Sequence, residues 1–124
     1  MDYQKVVNEV SKQIRTSRQN SIDAIDSFIE LMSVKLDESE RKTLADNLPE
    51  RLADIIYAVL PSGHNYTKRI VDMYAENMQL DTIEAARWIR SVWLVLEKYL
   101  PMDCRLIIDE VISSDYLSKP EAHL

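Results

Sequence analysis

Gly63 is the only glycine in the 124 residues. Tight β-turns use Gly or Asn-Gly to reach positive φ, so a sheet would have almost nothing to build its corners from. Alternating β-branched runs bounded by turn residues are also missing. Apolar residues instead recur every three or four positions, and at 46% of the chain they suffice for a packed core. An all-α fold of about seven helices is the consequence, and the length is that of one ordinary domain.

Val6, Val7, Val10 and Ile14 predict a first helix over roughly 3–14. After the polar Arg15-Thr16-Ser17, Ser17 is placed to N-cap a long second helix with the stripe Ile22, Ile25, Phe28, Ile29, Met32 and Leu36. Asp37-Glu38-Ser39-Glu40 has the form of a capping box for a short third helix, reaching about Asn47. Pro49 suits the first turn of a fourth, which runs through Leu52, Ile55, Ile56 and Val59. Pro61-Ser62-Gly63-His64-Asn65 is the clearest punctuation in the chain. A fifth helix follows, carrying Ile70, Val71, Tyr74 and Met78. A second capping box, Asp81-Thr82-Ile83-Glu84, then precedes a long sixth helix over about 82–99. Pro101 ends it and opens a seventh with Cys104, Ile107, Ile108, Val111 and Ile112. Ser113-Ser114 is expected to cap a last turn at Tyr116-Leu117, and 118–124 to form a flexible tail.

The pattern restarts after the punctuation. Shifting residues 4–52 by 64 positions, without gaps, sets 15 of 17 apolar residues on apolar residues; Val34 on Lys98 and Ala45 on Asp109 are the exceptions. Chance at this composition would give about eight. The expected architecture is therefore one compact domain over 1–124 made of two tandem, pseudo-symmetric repeats (about 3–60 and 66–117) joined by a linker at 61–65. The same shift sets Asp23 and Asp26 against Arg87 and Arg90. It predicts that the two long helices lie side by side with these charges paired, Asp26 to Arg90. The sixth helix is apolar on more than one face. Its Trp88 and Trp93, with Tyr99, therefore belong either to the core or to a partner surface.

Leu44-Ala45-Asp46-Asn47-Leu48-Pro49-Glu50-Arg51-Leu52 resembles the bacterial domain of unknown function 2267 family, whose members show a helix ending in a small or amide residue, then Leu-Pro, then an amphipathic helix. The opening helix (Lys5 to Ile14), the long helix ending Val34-Lys35-Leu36 and the duplicated layout extend the likeness over roughly 4–116. Ile112-Ser113 stands in place of Leu-Pro in the second half, and the chain has fewer arginines than that pattern. The resemblance implies an all-α bacterial protein with no assigned activity, and it brings no functional residue with it.

Composition narrows the function classes. Net charge is −6, which disfavours non-specific attraction to phosphate backbones or anionic lipid. The start lacks a signal-peptide pattern, and Val92 to Leu96 is the longest apolar run, so a cytoplasmic protein off the membrane is expected. His64 and His123 have no ligand partners at metal spacing, and one glycine cannot make a phosphate loop; no metal and no cofactor are expected. Asp23, Asp26 and Glu30 share a helix face but read as a solvated or ion-paired stripe, not as catalytic carboxylates. Cys104 falls on an apolar stripe and reads as a buried, inert thiol. No catalytic residue is assigned. The leading expectation is a non-catalytic protein-interaction module, its partner another protein or a second copy. Two alternatives stand beside it. One is a regulatory nucleic-acid binder using the weak basic patch Lys12, Arg15 and Arg18; the other is a small-molecule binder or enzyme with a pocket between the repeats.

Overall fold

The computed structural model describes residues 1–60 and 68–117, so the expected linker, the tail, His64 and His123 lie outside the described residues. Among the described residues seven α-helices run in chain order: α1 (Tyr3–Ile14), α2 (Arg18–Val34), α3 (Glu38–Ala45), α4 (Glu50–Ala58), α5 (Ile70–Met78), α6 (Thr82–Leu96) and α7 (Met102–Leu117). A single 3₁₀ turn, Glu97–Tyr99, extends α6. No strand occurs among the described residues.

Local chemistry sets the helix ends. The Ser17 side chain accepts from the Asn20 amide, and Asp81 accepts from the Glu84 amide. Asp37 makes the full reciprocal box with Glu40. At Asp81 only half the box forms, because both Glu84 oxygens accept from Arg87, at 3.0 and 2.8 Å. That guanidinium is one turn away and offers two charge-assisted bonds against one amide. Arg15 (φ 65°) and Gln79 (φ 56°) close α1 and α5 in the left-handed region, where each cap amide turns back to carbonyls of the last turn. Pro49 is extended (φ −56°, ψ 150°) and stands at the N-cap, one residue outside the first turn. α6 stops short of 99 because Leu100 precedes Pro101 and is driven to extended geometry (φ −105°, ψ 143°). The expected cap at Ser113-Ser114 is not made. α7 passes straight through both serines, since neither removes an amide as a proline would.

α1 packs on α2 and α6, and α5 packs on α6 and α2, so the four interlock around the contact between the two long helices. α4 lies on α2 and α3, and α3 also touches α7. The interior is drawn from every helix: Val6, Val10, Phe28, Leu44, Ile56 and Tyr74 among others are fully buried. Phe28 of α2 stacks on Trp93 of α6 with ring centroids 6.2 Å apart. The Tyr74 hydroxyl, inside this core, donates to the Ala24 carbonyl at 2.9 Å, which satisfies the one polar atom of the largest fully buried side chain. Ser11 and Ser21, whose hydroxyls lie 2.7 Å apart, let α1 and α2 approach closely.

Candidate functional site

Two concave surfaces flank the α2–α6 contact. The smaller holds about 310 Å³ between α2 and α5 and is lined by Asn20, Asp23, Asp26, Ser27 and Glu30 opposite Asn77 to Gln79. Asp26 is committed elsewhere: it accepts from Arg51 Nη2 at 2.7 Å and from the Tyr3 hydroxyl at 3.4 Å, while Arg51 Nε donates to Tyr3 at 3.1 Å. This knot joins α1, α2 and α4. Burial and the Asp26 charge push the Tyr3 hydroxyl above its ordinary range, and the hydrogen bond to Asp26 does the same for Arg51. No metal-holding group of three or more His, Cys, Asp or Glu forms among the described residues.

The larger groove, about 930 Å³, lies between the start of α5, the outer side of α6 and the end of α7. Its apolar lining includes Ile70, Ile83, Ala86, Ile89, Trp93 and Ile112. Three arginines, Arg69, Arg87 and Arg90, share it with Asp72 and Asp115. These charges are not equally available. Asp115 accepts from the Ile70 amide at 2.5 Å and from the Val71 amide at 3.4 Å, supplying from α7 the N-terminal cap that α5 lacks in its own sequence. Arg87 is taken by Glu84, whose carboxyl is held below its usual range by that hydrogen bond. Arg90 makes no hydrogen bond or ion pair among the described residues. Arg69 has its Nε sealed from solvent without a partner.

The expected pairing of Asp26 with Arg90 is therefore corrected. The long helices do touch, but Asp26 turns to α4 while Arg90 lines the other groove. α4 folds back over α2 and brings an arginine of its own to Asp26. The same shift sets Asp115 on Arg51, a signal that could have flagged both ends of the exchange.

Trp88 and Trp93 are each 8% exposed and belong to the interior of the single chain; Trp93 Nε1 donates to Asp109 at 3.0 Å. Tyr99 is half-buried, and its hydroxyl donates to Glu9, which also accepts from Lys98. Those two bonds, Lys98 first, draw the Glu9 carboxyl below its usual range. Among the described residues, the large exposed apolar side chains of α6 and α7 are instead Ile83, Leu94, Met102 and Leu106. Lys12, Arg15 and Arg18 are all exposed around the α1–α2 corner, with Arg18 donating to Asn8 at 3.1 Å. Cys104 is fully buried against the Thr43 carbonyl, and burial pushes its thiol up to about 11.

The fold and its surfaces define a small helical domain with a half-open, arginine-bearing apolar groove. The chain belongs to the family described as uncharacterized conserved protein (DUF2267), whose model matches residues 3–113. No curated protein and no solved structure matches it.

Proposed function

We propose that this chain is a non-catalytic helical module, made by duplication of one helical unit, that works by binding another protein. The observation that carries the reading is the groove on α6. An apolar surface of that size beside Arg90, which has no carboxylate partner among the described residues, is what a recognition surface requires, and isolated exposed leucines do not provide it. Duplication is supported by geometry at equal spacing: left-handed caps at Arg15 and Gln79, N-caps at Ser17 and Asp81, and helix starts at Arg18 and Thr82 are each 64 residues apart. α1 also stands to α2 and α6 as α5 stands to α6 and α2.

A cytoplasmic setting fits the lone, buried thiol of Cys104. The test is a light-scattering mass combined with affinity purification from the source cells. A defined complex, with itself or another chain, is the expected result. A clean monomer at high concentration that retains no partner overturns it.

The exposure of Lys12, Arg15 and Arg18 favours a second reading, contact with nucleic acid at the α1–α2 corner. A mobility shift at low salt, lost on reversing those three charges, would replace the first reading.

A further inference from the structure

The groove on α6 has a counterpart in the same chain that is already filled. On the N-terminal side α4 covers α2, with Leu52 and Ile56 fully buried and Arg51 on Asp26. In the 64-residue register, Ile22, Ile25, Asp26 and Ile29 of α2 correspond to Ala86, Ile89, Arg90 and Trp93 of α6, and all four of these line the groove. The stretch that corresponds to α4 in that register differs from it in sequence. It carries Tyr116, Lys119, Pro120 and His123 where α4 has Leu52, Ile55, Ile56 and Val59. The apolar i, i+3, i+4 pattern of α4 is not repeated in that sequence. α7 also runs straight on where the N-terminal half breaks at Leu48-Pro49.

Charge then decides what fits. A helix seated on α6 as α4 sits on α2 brings its residue at the Arg51 position against Arg90. Arginine there is repelled and a carboxylate is attracted, so α4 of a second copy is the wrong occupant. Of the groove's own acids, Asp115 is spent on the α5 amides and Asp72 lies in the first turn of α5, where the helix dipole favours it.

We propose that the groove between α5, α6 and α7 docks an amphipathic helix of another protein. That helix carries an acidic residue followed by an apolar ridge at i, i+3 and i+4, the α4 pattern with its charge reversed. This rests on the protein-contact reading above and names the partner's chemistry.

The probe is a synthetic peptide copying residues 49–60, held helical by a lactam bridge on its solvent side, with either Arg51 or Arg51→Glu. Each is titrated against the full chain by fluorescence anisotropy. The Arg51→Glu peptide is expected to bind about tenfold more tightly than the unaltered one, and the order to invert on a chain carrying Arg90→Glu. Ile83→Asp, at a position 80% exposed and so harmless to the fold, is expected to abolish binding with the circular dichroism unchanged. Equal binding by both peptides, binding by neither, or insensitivity to Ile83→Asp overturns the assignment. So does saturable binding of decanoate with both peptides silent, which makes the groove a site for a small anionic amphiphile. If the peptides fail while light scattering or purification still shows a protein complex, the docking assignment falls and the broader reading stands.

Discussion

Arg41 shows how much one side chain can hold. It is 8% exposed, and its Nε donates to the Ser33 carbonyl at 2.9 Å while Nη1 donates to the Val59 carbonyl at 2.7 Å. One planar cation thus closes the C-terminal ends of α2 and α4, where both helix dipoles are negative. Arg41→Ala is expected to cost roughly 2–4 kcal/mol in urea unfolding, because two carbonyls lose a charged donor at a buried site. Arg41→Lys should recover less than half, since an ammonium cannot span both acceptors. Cys104 supports a pH test. Its thiol ordinarily titrates at 9.0 and is raised by burial, then by Asp103, to about 11 in the fold. Between those values the unfolded chain releases a proton that the folded chain keeps, so stability falls as pH rises through that window. Tyr74, also raised by burial, continues the fall above pH 10. Urea midpoints from pH 7 to 11 should show the decline, with a shallower slope for Cys104→Ala.

Among the elements, the helix ends carry strain that can be relieved. Arg15 and Gln79 hold the left-handed region without being glycine, at a cost of roughly 1–2 kcal/mol each. Arg15→Gly and Gln79→Gly are each expected to raise stability by about 0.5–1 kcal/mol, after the added freedom of the unfolded chain is counted. A loss at either position would mean that the side chain, and not the cap geometry, matters there. α5 has the opposite need. Its N-cap residue Arg69 offers no acceptor, and Asp115 reaches across from α7 to do that work. Asp115→Ala should cost about 1–2 kcal/mol and speed hydrogen exchange at Ile70 and Val71 more than elsewhere in α5.

For the molecule as a whole, the interlocked packing sets the unit of stability. α1 sits on α6 and α5 on α2, so each half completes its core only against the other. Polar contacts cross the same boundary: Tyr74 of α5 bonds Ala24 of α2, and Glu9 of α1 accepts from Lys98 and Tyr99. One cooperative thermal transition is expected for the full chain. A fragment of residues 1–60 should lack near-ultraviolet circular dichroism and a sharp melt, because Phe28 loses the Trp93 ring and the Ala24 carbonyl loses the Tyr74 hydroxyl. A fragment that melts cooperatively on its own would show two independent domains.

How far the chain could be read depends on the range of the forces involved. Ser17, Asp37 and Asp81 announced helix starts because an N-cap is decided by amides two or three residues away. The stripe from Val6 to Ile14, like that from Ile25 to Leu36, announced its buried face because burial follows the helical period. Which carboxylate meets which guanidinium was not legible. Asp26 had Arg51, Arg87 and Arg90 to choose among, and only the fold-back of α4 brought Arg51 to 2.7 Å. Nor could an apolar α6 say which of its sides the chain would cover. Trp88 and Trp93 went inward, Ile83 stayed in water, and Arg90 was left facing a groove. The residues alone therefore determined the helices and their inner faces, through contacts made within a turn or two. Tertiary structure decided the charge partners and the open groove, because these depend on separations of a few ångströms between segments far apart in the chain.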